Sequence, residues 1–169
     1  VLQALSLFSK VGFSGDHANE LEQVCKLLNL DITEVGNAAK KIHDRPGYIK
    51  RTGRYYSVAP SIITQMAFDE AWNKWIAPDP TDFFNRIPAD LVQAFIKNAS
   101  NASEENRKKA GDFFRKWASS VTAIRLGDID TVERLAALTA MDPENYLPTL
   151  CRLVVECSDT EIQNLSHKQ

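Results

Sequence analysis

The spacing of apolar residues changes period at Pro46-Gly47, and that change limits what the chain can fold into. Upstream, Leu21, Val24, Cys25 and Leu28 recur at intervals of three and four, followed by Ile32, Val35, Ala38, Ala39 and Ile42. Such spacing lays an apolar stripe along one side of a helix. Downstream, Tyr48-Ile49-Lys50-Arg51 and Tyr55-Tyr56-Ser57-Val58 are strand formers joined by Thr52-Gly53-Arg54. Proline lacks an amide donor and ends the helix between the two patterns. Gly53 supplies the backbone freedom that a tight hairpin turn needs. A hairpin this short is marginal alone and must lie against the helices. Ile49 and Val58 are the expected inward residues.

Residues 1–9 read as a short helix with Val1, Leu2, Leu5 and Phe8 on its apolar side, closed by Gly12 and Gly15. A second helix spans 17–29, with Asp16 as its cap or His17 and Asn19 in a loose first turn. Asp31 caps the third helix, with Thr33 as a rival and Glu34 three residues on. A gap of about two residues between the second and third helices has a helix–turn–helix rhythm. Three helices followed by a hairpin is the order of a winged helix.

The remainder is helical. Pro60 suits a first helical position, and Ile62, Ile63, Met66, Ala67, Trp72, Trp75 and Ile76 form a long stripe after it. Pro78, Pro80 and Pro88 punctuate a link anchored by Phe83 and Phe84, and Leu91, Val92, Phe95 and Ile96 mark another helix. Residues 98–103 read as a loop, after which Ser103 caps a helix carrying Ala110, Phe113, Phe114, Trp117 and Val121. Asp130 is expected to cap a helix with Val132, Leu135, Ala136 and Leu138. Asp142-Pro143 opens a last one with Tyr146, Leu147, Leu150, Cys151, Leu153 and Val154. Two helices joined by a short turn resemble one unit of an α-solenoid. The expected fold is therefore mostly α: a winged helix over 1–59, bridging helices over 60–97, and a helical domain over 98–169 with a HEAT-like repeat. The tail from Ser158 is polar, with a last apolar turn at Ile162 and Leu165. The helical pattern is already under way at Val1, which reads as the boundary of a piece of a longer intracellular protein.

Hydrophobic residues make up 44% of the 169, enough for a sizeable core or two small ones. The formal net charge of -2 exerts no global pull toward nucleic acid or an anionic membrane. No run approaches the roughly 18 apolar residues of a membrane span. Three cysteines, Cys25, Cys151 and Cys157, are too few and too scattered for a disulfide scaffold. They read as reduced and mostly buried, in a cytoplasmic setting. The sequons at Asn98, Asn101 and Asn164 read as chance matches. No phosphate-cradling glycine loop is present. His17, His43 and His167 are widely separated, so neither a metal nor any other cofactor is expected in this chain. Asp128 and Asp130 read as loop and cap residues rather than an acid/base pair. No catalytic site is expected.

One local charge feature stands out. Lys40, Lys41, Arg45, Lys50, Arg51 and Arg54 place six cations in fifteen residues, opposed only by Asp44. In a DNA-binding winged helix the third helix would enter the major groove and the wing would touch backbone. Lys50, Arg51 and Arg54 would then meet phosphates, and Asn37, Lys41 or His43 would approach base edges. Lys40 and Arg45 belong to the same positive surface. The third helix is poor in base-reading residues, and Gly36, Ala38 and Ala39 suit close protein packing. His43, Tyr55 and Tyr56 are the candidates for contact with a neighbouring domain. Arg107-Lys108-Lys109 follows Glu104-Glu105 and is ordinary helix electrostatics. Trp72, Trp75, Phe113, Phe114 and Trp117 read as packing residues.

Residues 1–76 carry a resemblance. Leu5-Ser-Leu-Phe-Ser-Lys-Val-Gly-Phe-Ser-Gly15, a Leu-rich helix, the third helix and Tyr48-Ile-Lys-Arg-Thr-Gly-Arg-Tyr-Tyr-Ser-Val-Ala-Pro60 resemble the winged helix that follows the nucleotide-binding core of STAND-class signal-transducing NTPases. The helical remainder is similar to the bridging helices and first helical repeats of such proteins. The resemblance implies a parent that binds ATP and Mg through an upstream core. It implies a winged helix that holds that core closed and couples its nucleotide state to helical sensor repeats. The partners implied are other domains of the same parent and a protein met through the helical C-terminal part. In that family a histidine within a Met-His-Asp motif reaches the nucleotide phosphates. This sequence has no Met-His-Asp, and His43-Asp44 precedes the hairpin, so that role is not carried over. The alternative is a DNA-binding winged helix, a transcriptional-regulator-like module with duplex DNA as its partner.

Overall fold

A computed structural model of the chain describes residues 1–45 and 47–156. The expectations for Pro46, Cys157, Asn164, His167 and the apolar turn at Ile162 and Leu165 lie outside the described residues. The chain is mostly helical, with a small antiparallel sheet followed by further helices. It falls into two compact units, Val1–Ala110 and the part from Gly111 onward.

The first unit opens with α1 (Leu2–Ser6), shorter than the expected helix over 1–9. Leu7 and Phe8 leave the helix but stay buried, and the chain turns into a short strand, β1 (Val11–Gly12). Helix α2 (Ala18–Leu28) buries Leu21, Val24, Cys25 and Leu28. Asp16 does not cap it: the N-cap is His17, without a side-chain bond, and Asp16 instead meets Arg54 at 3.2 Å. Three residues, not two, separate α2 from α3 (Ile32–Asp44). Asn29 adopts a left-handed φ of 55°, and Leu30 N donates to Cys25 O at 2.8 Å, closing the helix as a Schellman turn. Asp31 then caps α3 by accepting from Glu34 N at 2.8 Å. Val35 and Ala39 are buried, whereas Ile32, expected on the same face, is 42% exposed in the first turn.

The period change is realised as expected. Strands β2 (Ile49–Thr52) and β3 (Tyr55–Val58) pair antiparallel around a two-residue turn in which Gly53 has φ +58°. Ile49 and Val58 face each other across the ladder and are both buried. The other edge of β3 pairs with β1, matching Val11 to Tyr56 and Gly12 to Tyr55, so the sheet order is β1-β3-β2.

Pro60 is the N-cap of α4 (Ser61–Ala71) rather than its first residue. Helix α4 packs on α1 and runs into a π turn over Trp72–Ile76. Ala67, Phe68, Ala71, Trp72 and Ile76 are buried; Ile62 and Met66, placed by spacing in the same stripe, are 57% and 56% exposed. Helices α5 (Pro80–Arg86) and α6 (Ala89–Ser100) complete the unit. Their aromatic residues converge on Phe95, which is 1% exposed. Its ring lies 6.4 Å from Phe8, 6.3 Å from Phe68, 5.9 Å from Phe83 and 6.2 Å from Phe84. The tilted geometries suit the positive edges and negative faces of aromatic rings. The expected loop over 98–103 is in fact helical to Ser100. Asn98 turns inward there, and its Nδ2 donates to Ser6 O at 2.8 Å. A buried partner outweighs the turn preference of that Asn/Ser-rich stretch.

Helix α7 (Glu104–Ser120) begins with Asn106 N donating to Ser103 Oγ. Asp69 of α4 accepts from Asn106 Nδ2 at 2.9 Å and from Ser103 N at 3.3 Å. In the second unit, Phe114, Trp117, Ala118 and Val121 of α7 are buried and Phe113 is half-buried. Helix α8 (Ile129–Met141) is capped by Asp128, not Asp130. Asp128 accepts from Thr131 Oγ1 at 2.6 Å and from Asp130 N at 3.3 Å. Helix α9 (Pro143–Glu156) starts beneath Asp142, as expected, and packs on α8. Tyr146 and Leu153 face inward; Cys151, expected to be buried, is exposed.

Replacing Phe95 by Ala removes the common partner of four aromatic rings, and the loss of stability in urea is expected to be about 3–5 kcal/mol. Ile62→Ala, at an exposed position of α4, is expected to change it by less than about 0.5 kcal/mol. The Thr131 hydroxyl holds the Asp128 carboxyl below its usual range, more strongly than desolvation raises it. A depressed folded-state pKa means that this cap contributes fully above the ordinary aspartate value of about 3.9 and is lost as pH falls through the lower folded value. Asp128→Asn still caps but does not titrate. The stability difference between the two proteins is therefore expected to change only in acid, measured by urea unfolding from neutral pH to pH 2.5.

Candidate functional site

The expected site residues sit on α3, at its C-cap and on the β2–β3 hairpin, and the structure sorts them into two sets. The first set is free. Asn37, Lys40, Lys41 and Arg45 are all exposed. Asn37 and Lys41 are four apart and so lie along one side of α3, Lys40 lies beside them, and Arg45 is the extended C-cap just past the helix. Lys50 is exposed on β2. Among the described residues none of these four cations has an ion-pair or aromatic partner. Cations elsewhere are often tied within their own helix, as in Lys26–Glu22, Arg86–Asp82 and Lys109–Glu105.

The second set is engaged. Side chains alternate along a strand, so Arg51 shares the face of Ile49 and points away from that of Lys50. Its guanidinium lies 4.7 Å from the centre of the Phe13 ring. Phe13 stacks on Tyr56 at 4.0 Å, and Tyr56 is buried. Arg54 pairs with Asp16, and the Phe13 amide donates to Arg54 O at 2.9 Å. Tyr55 is half-buried, with Lys10 Nζ 4.4 Å above its ring and the His17 ring 5.0 Å away. His43 is exposed, but its Nδ1 donates to Ile49 O at 2.9 Å and fastens the end of α3 to β2. The wing thus carries its own internal contacts at Arg51, Arg54, Tyr55 and Tyr56, and the unsatisfied charge lies on α3 and at Lys50.

Nothing in the spacing assigned Phe13, Gly12, His17 or Glu20 to the hairpin, which they brace from the other side. Glu20 Oε2 accepts from Gly12 N at 2.7 Å, and Glu20 Oε1 meets His17 Nδ1 at 2.7 Å. The three-residue interval from His17 to Glu20 was a readable signal for the pair; the stacking of Phe13 had none. Gly12 sits so close to α2 that an added Cβ would lie 2.3 Å from His17 Cβ and 2.6 Å from His17 O.

A cavity of about 460 Å³ lies between α1, the end of α3 and α4, lined by Leu2, Ile42, Tyr48, Ile63, Met66 and Ala67 among others. Its rim is open and largely apolar, with Tyr48 37% exposed and Met66 56%, and its polar part is Gln3 donating to Glu70 at 2.6 Å. In the second unit, α9 has apolar residues on two sides. Tyr146 and Leu153 face inward, while Leu147 and Val154, one position on from each, are 46% and 50% exposed. Among the described residues no group of three or more His, Cys, Asp or Glu is placed to hold a metal ion. Among the described residues no helix is long and apolar enough to cross a membrane.

Gly12→Ala is expected to destabilise the first unit by about 1–3 kcal/mol through overpacking against α2. Gly36→Ala meets no atom within 4 Å and is expected to stabilise α3 by about 0.5–1 kcal/mol. Chemical denaturation of both variants checks the pair, and equal effects would contradict the packing of β1 on α2. No protein-family model, curated protein or solved structure matches the chain.

Proposed function

We propose that this chain is a non-catalytic regulatory and packing module of a larger cytoplasmic NTPase of the STAND class, a winged helix followed by the first helices of a HEAT-like solenoid. The observation that carries the reading is the open apolar cavity between α1, the end of α3 and α4. Its exposed Tyr48 and Met66 suit close packing by another domain. The element order α1-β1-α2-α3-β2-β3 supports the winged-helix part. The two-sided apolar character of α9 supports the solenoid part, because a helix apolar on two sides needs two neighbours. In this reading the module couples the nucleotide state of an upstream ATP- and Mg-binding core to helical sensor repeats, and its partners are domains of the same parent.

The test is made in the full-length parent. Met66→Glu places a charge in the apolar contact. It is expected to raise ATP turnover in the absence of stimulus at least tenfold while leaving the melting temperature of the isolated first unit unchanged. Unaltered turnover, or a parent without a phosphate-binding loop upstream, would overturn the reading.

A second reading is favoured by one observation, the four unpaired cations Lys40, Lys41, Arg45 and Lys50. A surface of this kind suits the phosphates of duplex DNA, in a transcriptional-regulator-like module. Neutralising about four phosphates would make affinity fall roughly 100-fold between 50 and 200 mM salt. Fluorescence titration with a random duplex measures this. Binding that ignores salt, or that survives Lys40→Ala, Lys41→Ala and Lys50→Ala together, would exclude the second reading.

A further inference from the structure

Charge is divided along the length of α3. Asp31 caps the helix and Glu34 stands in its first turn; both are exposed acids. Lys40 and Lys41 lie towards the other end and Arg45 at the C-cap, with Asp44 as the one acid between Lys40 and Lys50. At a rise of about 1.5 Å per residue, Glu34 and Lys41 are about 10 Å apart along the axis. That is roughly one screening length at physiological salt. A polyanion therefore meets the two ends as separate surfaces, the first repelling it and the second attracting it.

The cationic end is held on a fixed frame. His43 Nδ1 donates to Ile49 O at 2.9 Å, and Gly47 N donates to Ile42 O at 2.8 Å, so the turn from α3 into β2 is bonded twice. Lys50 follows directly on Ile49 and is exposed. The hairpin tip is different in character. Asp16 offsets the charge of Arg54 at 3.2 Å, and Arg51 lies over the Phe13 ring. Side chains suited to base edges are scarce on α3. Asn37 is its single carboxamide, and the half-buried Gly36 and Ala38 on either side of it carry no polar side-chain atom.

A recognition helix inserted in the major groove presents its N-terminal residues to the bases. On α3 that end would carry the carboxylates of Asp31 and Glu34 in among the phosphates. Approach by the other end reaches phosphates without that repulsion. Phosphate contacts fix position and carry no sequence information. We infer that α3 meets a duplex with its C-terminal end, across the phosphate backbone rather than in the major groove, so that binding through Lys40, Lys41, Arg45 and Lys50 is independent of sequence. This inference rests on the second, nucleic-acid reading above, and narrows it from a regulator that reads a site to a module that holds any duplex.

The test is a fluorescence titration of the 169-residue chain with a labelled random duplex of about 20 base pairs over a range of salt. Lys40→Ala, Lys41→Ala, Arg45→Ala and Lys50→Ala are each expected to reduce the salt slope by about 1. Arg54→Ala and Asn37→Ala are expected to leave the affinity within about twofold, since neither side chain meets a phosphate in this geometry. Sequencing the fraction that the chain retains from a random duplex pool is expected to show no consensus. A consensus in that fraction, or a tenfold loss on Asn37→Ala or Arg54→Ala, would overturn the inference and leave the nucleic-acid reading standing. Absence of salt-dependent duplex binding would overturn both, as would binding to phosphatidylserine vesicles in its place.

Discussion

The two-sided pairing of β3 is the constraint on which the first unit depends. A hairpin of two four-residue strands leaves one edge open and gains little by itself. Here the open edge of β3 accepts β1, a segment lying more than forty residues earlier in the chain. That pairing closes a loop containing α2 and α3 and draws both helices against the sheet. The close approach at Gly12 and the bond from its amide to Glu20 then set β1 against the start of α2. His43 does the same at the other edge, holding the end of α3 to β2. The hairpin is therefore bonded on both edges.

Once β3 is in place, the chain leaves it through Pro60 into α4, whose position follows from that exit. Helix α4 and the π turn after it present Phe68 and Trp72, and the helices that follow supply Phe83, Phe84 and Phe95. The aromatic cluster and the Asn98–Ser6 bond join the far end of the unit to α1. The same packing sets out two open surfaces of different character. The cavity at Tyr48 and Met66 is largely apolar; the one lined by Ser61, Gln65 and Asn98 carries polar, uncharged side chains beside apolar ones. A third surface, the outer side of α3, is cationic. Segregation of these three chemistries follows from helix geometry, since residues one position apart in a helix point about 100° apart.

Much of the framework was legible in the residues. Asp31, Ser103 and Asp142-Pro143 marked helix starts correctly, and Gly53 marked the hairpin turn, because caps and tight turns are local chemistry. The strand β1 was not legible: two residues, Val11 and Gly12, carry no periodicity, and their strand character comes wholly from a partner distant in sequence. Ile62 and Met66 fit a helical stripe by spacing, yet spacing marks only where apolar residues lie on a helix, not which part of the stripe finds a neighbour. Asp128 and Asp130 were exchanged as caps for a similar reason, since both stand at plausible distances and the Thr131 hydroxyl decides between them.

The site divides along the same line. Charge density around α3 and the wing was readable, and the exposure of Lys40, Lys41, Arg45 and Lys50 agrees with it. That Arg51 would rest on Phe13, and Arg54 on Asp16, required the β1–β3 pairing that brings residues 13–16 to the wing tip. The sequence by itself determined where helices and strands begin, which residues carry charge, and that a ribbon follows the third helix. Those properties depend on neighbours within a few positions. Only the tertiary structure decided which cations stay free, which apolar residues remain uncovered, and that Asn98 turns inward to bond Ser6. These depend on surfaces meeting across long stretches of chain, where burial and hydrogen-bond pairing override local preference.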